Sequence, residues 1–137
     1  MSYAGDITSA ETYAALASDP DAVLVDVRTE AELVHVGHPD LTGLSQDLIA
    51  VQWVSPVGVV NQNFISELAD RGVSPDATVY FLCRSGARSR SAAEQATAAG
   101  FSSAFNVSDG FEGQPNHLGH RGESSGWKAA GLPWRQS

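Results

Sequence analysis

Apolar strand-like runs alternating with helical segments predict an α/β fold, with a mostly parallel central sheet and helices on both faces. Three observations carry this expectation. "AVLVDVR" and "ATVYFLC" are short continuous runs of β-branched, aliphatic and aromatic residues, the pattern of strands buried on both sides. Segments with helical spacing, such as "NQNFISELADRG", separate the apolar runs. Lastly, Ala92, Ala93, Ala96 and Ala99 give the segment after "ATVYFLC" a small-residue face that can lie close on a sheet.

The elements follow in chain order. "TSAETYAALAS" opens with a capping box, Thr8 with Glu11, and sets Tyr13 and Leu16 on one side of a helix. "AVLVDVR" is a strand whose carboxyl end presents Asp26 and Arg28. "LIAVQWV" reads as a weaker strand. "NQNFISELADRG" reads as a helix capped by Asn61, with Phe64 and Leu68 paired at i, i+4 and Gly72 as its stop. "ATVYFLC" is the strongest strand, "RSAAEQATAAG" a helix ended by Gly100, and "SAFNV" a further short strand. "SDGFEGQPNHLGHRGESSG" is a long Gly-rich and polar loop, and "GWKAAGLPW" closes the chain as one or two helical turns.

The chain has 137 residues, which predicts one domain spanning 1–137. Eight Lys and Arg against sixteen Asp and Glu give a net charge of −8, the wrong sign for general binding to nucleic acid or an anionic membrane. Any anion it handles must be caught locally, against the overall field. A single cysteine, Cys83, leaves no internal disulfide to form. No signal peptide or membrane span is legible, so the expected location is cytoplasmic and the expected state a monomer.

Cys83 ends the strongest strand, where α/β sheets place their ligands. The first N–H groups of the helix that follows have no intrahelical partners, and its macrodipole puts partial positive charge beside the sulfur. If "RSGAR" curls around the thiol, its amides form an anion-binding nest, with Gly86 supplying the backbone freedom and Ser85 and Ala87 small enough not to obstruct it. Arg88 adds a cation. These effects favour thiolate over thiol. The plain alternative is an inert buried cysteine.

"CRSGARS", with "TVYFL" before it and an alanine-rich helix after it, resembles the active-site loop of the rhodanese-like sulfurtransferases. The resemblance extends to "LVDVRTEAEL" with "GHPD", to "FNVSDGFEG" and to "GWKAAGLPW", from about Ile7 to Trp134. It implies a sulfurtransferase in which Cys83 takes a sulfane sulfur, for example from thiosulfate, as a persulfide and passes it to a thiol or cyanide acceptor. The amides of Arg84, Ser85, Gly86, Ala87 and Arg88 would cradle the sulfur, while Arg84 and Arg88 orient an anionic donor or Arg88 braces the loop. No cofactor and no metal are implied. The partners would be a small-molecule donor and acceptor, or an acceptor protein.

A cysteine phosphatase or arsenate reductase uses a similar cradle. Phosphatases place five residues between Cys and Arg, whereas four separate Cys83 from Arg88, and a gap of five ends on Ser89. The smaller ring suits one sulfur atom better than a phosphate. A third reading is a non-catalytic rhodanese-like module for binding or redox sensing. It is weakened by the intact cysteine loop and by the lack of a resolving thiol. Asp26 and Arg28 read as a supporting ion pair near the loop. His35 and His38 read as structural. His117 and His120 could hold a metal but lack further ligands. Residues 112–125 look like an insertion into the compact pattern, either a basic rim over the site carrying Arg121 or a surface excursion held by Trp127 and Trp134.

Overall fold

In the computed structural model, which describes residues 2–136, the chain forms a five-stranded, wholly parallel sheet with helices on both faces. The elements are β1 (Gly5–Ile7), α1 (Ser9–Ser18), β2 (Val23–Asp26), α2 (Glu30–His35), β3 (His38–Pro39), β4 (Ile49–Ala50), α3 (Phe64–Asp70), β5 (Thr78–Leu82), α4 (Ala87–Ala98), β6 (Ser103–Val107) and β7 (Trp134–Arg135). The strand order is β1-β6-β5-β2-β4, so β5 runs through the middle. Its carboxyl end, and the cysteine after it, therefore emerge at the centre of one sheet edge.

Alternation along β5 divides the core. Val79, Phe81 and Cys83 face Phe64 and Leu68 of α3 and Ala92, Ala93 and Ala96 of α4. Tyr80 and Leu82 face Leu16 of α1, with Phe111 and Trp127 from the chain beyond β6. All of these are buried, which is why β2 and β5 read as unbroken apolar runs. The alanine face of α4 brings its axis close to the sheet. Thr8 and Glu11 form the expected capping box at α1.

Several elements depart from the sequence expectation. Asn61 does not cap α3: the N-cap is Asn63, with no side-chain capping bond, and Asn61 Oδ1 accepts from the Asn63 N–H at 3.0 Å while its amide donates to the Gln52 carbonyl at 2.8 Å. Asn61 thus stitches the preceding loop rather than starting the helix. The "LIAVQWV" strand shrinks to Ile49–Ala50, although Val51 and Trp53 still donate to the carbonyls of Asp26 and Val27. "GWKAAGLPW" is a single turn, closed by Ala130 N–H to Gly126 O at 3.0 Å, and the chain then leaves as β7, antiparallel to β3. Besides the β3–β7 pair, two further elements were not expected. β1 carries no apolar run of its own and is recruited by hydrogen bonds to β6. The six-residue α2 buries none of its residues and is fixed mainly by a capping box, Thr29 with Glu32.

Candidate active site

Three short pieces of chain meet around the Cys83 loop. The first is the loop itself. Gly86 stands in the left-handed region at φ +104° as the N-cap of α4, and this turn aims its N–H at Sγ over 3.1 Å. The Ser89 N–H, from the first turn of α4, donates to Sγ at 3.3 Å. Cys83 is buried, 1% exposed. The sulfur thus sits on the amino end of a 12-residue helix, at two inward-pointing amides.

The second piece is the chain leaving β6. Phe111 N–H donates to Cys83 O at 2.8 Å, and Glu112 and Gly113 N–H both donate to Arg84 O at 3.0 Å. This contact depends on two glycines. A Cβ on Gly86 would lie 2.4 Å from Ser108 O, and one on Gly110 would lie 2.3 Å from Arg84 O. Asp109 accepts from both the backbone N–H and the hydroxyl of Ser9 at 2.8 Å, anchoring the same turn to α1.

The third piece is the segment from β2 into α2. Arg88 makes a two-pronged ion pair with Glu32, NH1 to Oε1 at 2.7 Å and NH2 to Oε2 at 2.9 Å. Glu32 was not singled out in the sequence, although its capping-box pairing with Thr29 was there to read. Burial pushes the Glu32 carboxyl up, but hydrogen bonds from Arg88 and from the Thr29 backbone outweigh it and hold it at about 2. Arg84 is exposed, and among the described residues its guanidinium has no charged partner. A cavity of about 350 Å³ lies beside the loop, lined by Arg84, Arg88, Thr29, Glu32 and Val54 to Pro56. Its cationic character comes from Arg84, because Glu32 balances Arg88.

Asp26 and Arg28 form a fully buried ion pair, Nε to Oδ1 at 2.9 Å and NH2 to Oδ2 at 2.7 Å, with NH2 also donating to Gly37 O at 2.9 Å. The guanidinium lies over the Phe111 ring at 4.3 Å. The pair therefore supports the turn after β6 from below. His38 is half-buried, with Nδ1 3.4 Å from Leu33 O, and His35 is exposed. His117 and His120 are exposed, and among the described residues no three His, Cys, Asp or Glu side chains gather as a metal set.

Residues 112–125 form a loop closed on itself by Gly122 N–H to Glu112 O at 2.7 Å and by Gln114 N–H to Ser125 Oγ at 3.0 Å. The Arg121 guanidinium turns inward to Gly113 O at 2.6 Å. The loop abuts the cysteine loop through Glu112 and Gly113 but does not extend Arg121 over it. Trp127 is buried beneath it, donating from its ring to Pro133 O at 2.7 Å, and Trp134 covers Lys128 at 4.1 Å.

A parallel α/β sheet with a cysteine loop at its central carboxyl edge is a rhodanese-like fold. A model of the STR4 middle domain matches residues 4–137, and the chain belongs to that family. The chain is similar to the crystal structure of Rv0390 from M. tuberculosis, with 53% identity, a TM-score of 0.92, and 99% of this chain and 100% of that one covered. It is 38% identical over 130 residues to the uncharacterized protein RC0915 of Rickettsia conorii, covering 95% of this chain and 96% of that protein. It is 32% identical over 131 residues to the chloroplastic protein THYLAKOID RHODANESE-LIKE of Oryza sativa subsp. indica, of which it spans 25%.

Proposed function

We propose that the protein is a sulfurtransferase in which Cys83 carries a sulfane sulfur as a persulfide. The observation that supports this best is the Cys83 sulfur held at the amino end of α4 with the Gly86 and Ser89 amides turned onto it at 3.1 and 3.3 Å. Donors so arranged suit an anionic sulfur and need no general base. In the forward step the Cys83 thiolate attacks the outer sulfur of thiosulfate. A new S–S bond forms, and the old one breaks with its electron pair leaving as sulfite. A thiolate or cyanide then attacks the terminal sulfur, and Cys83 leaves as thiolate. Arg84, exposed and without a charged partner among the described residues, is the cation that meets the anionic donor. Arg88, committed to Glu32, braces the loop.

A phosphate-sized oxyanion fits this site less well, because Arg88, one residue nearer the cysteine than a phosphatase arginine, is turned to Glu32. A redox-sensing role is weakened by the lack of a second cysteine to resolve an oxidised Cys83. The test is intact mass after incubation with thiosulfate. The expected result is one added sulfur atom, removed by cyanide or a thiol and absent in Cys83→Ser. Failure to load any sulfur, with or without phosphate-ester hydrolysis, would overturn the reading.

A further inference from the structure

The contacts on the far side of the Cys83 sulfur form a chain of hydrogen bonds whose direction is determined. Asn106 of β6 is buried, and its Nδ2 lies 3.1 Å from Asp6 Oδ1 on β1. A carboxylate only accepts, so the NH2 side of the amide faces Asp6. Tyr3 donates its hydroxyl to the same Asp6 oxygen at 2.7 Å. The Asn106 Oδ1 therefore faces the Ser89 hydroxyl, 2.6 Å away. An amide oxygen has no proton to give, so the single Ser89 hydroxyl proton goes to Asn106. What Ser89 Oγ offers the Cys83 sulfur, at 3.1 Å, is a lone pair.

We propose that Asn106, held by Asp6, keeps the Ser89 proton turned away from Cys83 and so opposes ionisation of the empty cysteine. In the protonated form the S–H donates to Ser89 Oγ, and the sulfur accepts from the two loop amides. Removing the thiol proton leaves a negative sulfur against an oxygen lone pair. The Ser89 hydroxyl must then rotate onto the sulfur, and the buried Asn106 oxygen loses its donor. Ser89 and Asn106 are positioning residues that set how readily Cys83 ionises. Because it builds on the sulfur-carrier reading, the device has a consequence for turnover. In the persulfide the inner sulfur is an uncharged bridge and the charge moves to the outer sulfur, so Ser89 can return to Asn106. The relay weighs against the free thiolate and not against the loaded form.

Charged groups also stand around the loop: Arg88 of α4, which interacts electrostatically with Cys83, its partner Glu32 of α2, Arg84 next in sequence, and the Asp26–Arg28 pair at the end of β2. None of them fixes the direction of the Ser89 proton, so the relay can be tested separately by uncharged substitutions.

The test is the alkylation rate of Cys83 against pH in the full chain, with iodoacetamide as probe. Asn106→Leu removes the competitor for the Ser89 proton without changing charge. Its expected effect is an acid shift of the midpoint of about one pH unit, the size of one hydrogen bond to a charged group. Adding Ser89→Ala to Asn106→Leu is expected to abolish that shift. An unmoved midpoint in Asn106→Leu, or the same shift without Ser89, overturns the proposal. Should Asn106→Leu fold poorly, Asp6→Asn on the exposed edge gives a second arm. Its amide lets Asn106 turn over and donate to Ser89, so an acid shift that persists in about 1 M salt is expected. A shift absent or erased by salt overturns it. A moved midpoint in a protein that takes no sulfur from thiosulfate sinks the carrier reading alone. An unmoved midpoint in a protein that loads sulfur sinks the relay alone.

Discussion

Glu32 carries two duties at once, closing the capping box of α2 and neutralising Arg88 across 56 residues of chain. Its carboxyl is held at about 2, below its usual value near 4.5, so the folded state prefers the ionised form. The resulting stability is fully present above the unfolded value and is lost as pH falls from about 4.5 toward 2. Glu32→Gln is expected to cost about 2 kcal/mol at pH 7, a charge-assisted pair reduced for its partial exposure. The difference from the parent chain should narrow steadily below pH 4.5. Urea unfolding at pH 7, 4 and 3 measures both. A gap that stays constant with pH would assign the cost to lost capping geometry rather than to the ion pair.

At the level of elements, the cysteine loop is held between α4 and the turn after β6 by backbone contact, and no side chain can be inserted there. Gly86 combines φ +104° with a Cβ position 2.4 Å from Ser108 O. Gly86→Ala is therefore expected to destabilise by more than the roughly 1–2 kcal/mol of a left-handed alanine. It should also displace the amide that donates to Cys83, slowing sulfur loading out of proportion to the lost stability. Thermal melts compared with thiosulfate loading rates separate the two effects. Much of this element was legible beforehand, because Cys83, Gly86 and the start of α4 lie within a few residues and obey local rules. The central strands β2 and β5 were legible because burial on both faces forces an unbroken apolar run. What stayed hidden depends on distant partners. β1 is a strand only because β6 offers it hydrogen bonds, and "GWKAAGLPW" becomes a turn and β7 only because β3 is there to receive it. Glu32 and Asn106 likewise acquire their roles from residues 56 and 17 positions away.

For the whole molecule, the Asp26–Arg28 pair joins parts that no strand or helix contact would tie together. Asp26 ends β2, Arg28 reaches Gly37 O before β3, and its guanidinium lies on Phe111, which itself donates to Cys83 O. Both side chains are fully buried, so removing one partner leaves an uncompensated charge with no route to water. Asp26→Leu is expected to cost about 3–5 kcal/mol, the range for breaking a buried pair. Replacing both, as Asp26→Leu with Arg28→Met, should recover most of that loss, because two apolar groups of similar size need no pairing. Urea unfolding of the three proteins reads the cycle directly. If the double variant stays as unstable as Asp26→Leu, the missing stability belongs to the bond from Arg28 to Gly37 and to its stacking on Phe111. The pair would then serve the shape of the site more than its charge. Recovery of stability with sulfur loading still slowed would give the same pair a second role, in holding the turn after β6 against the cysteine loop.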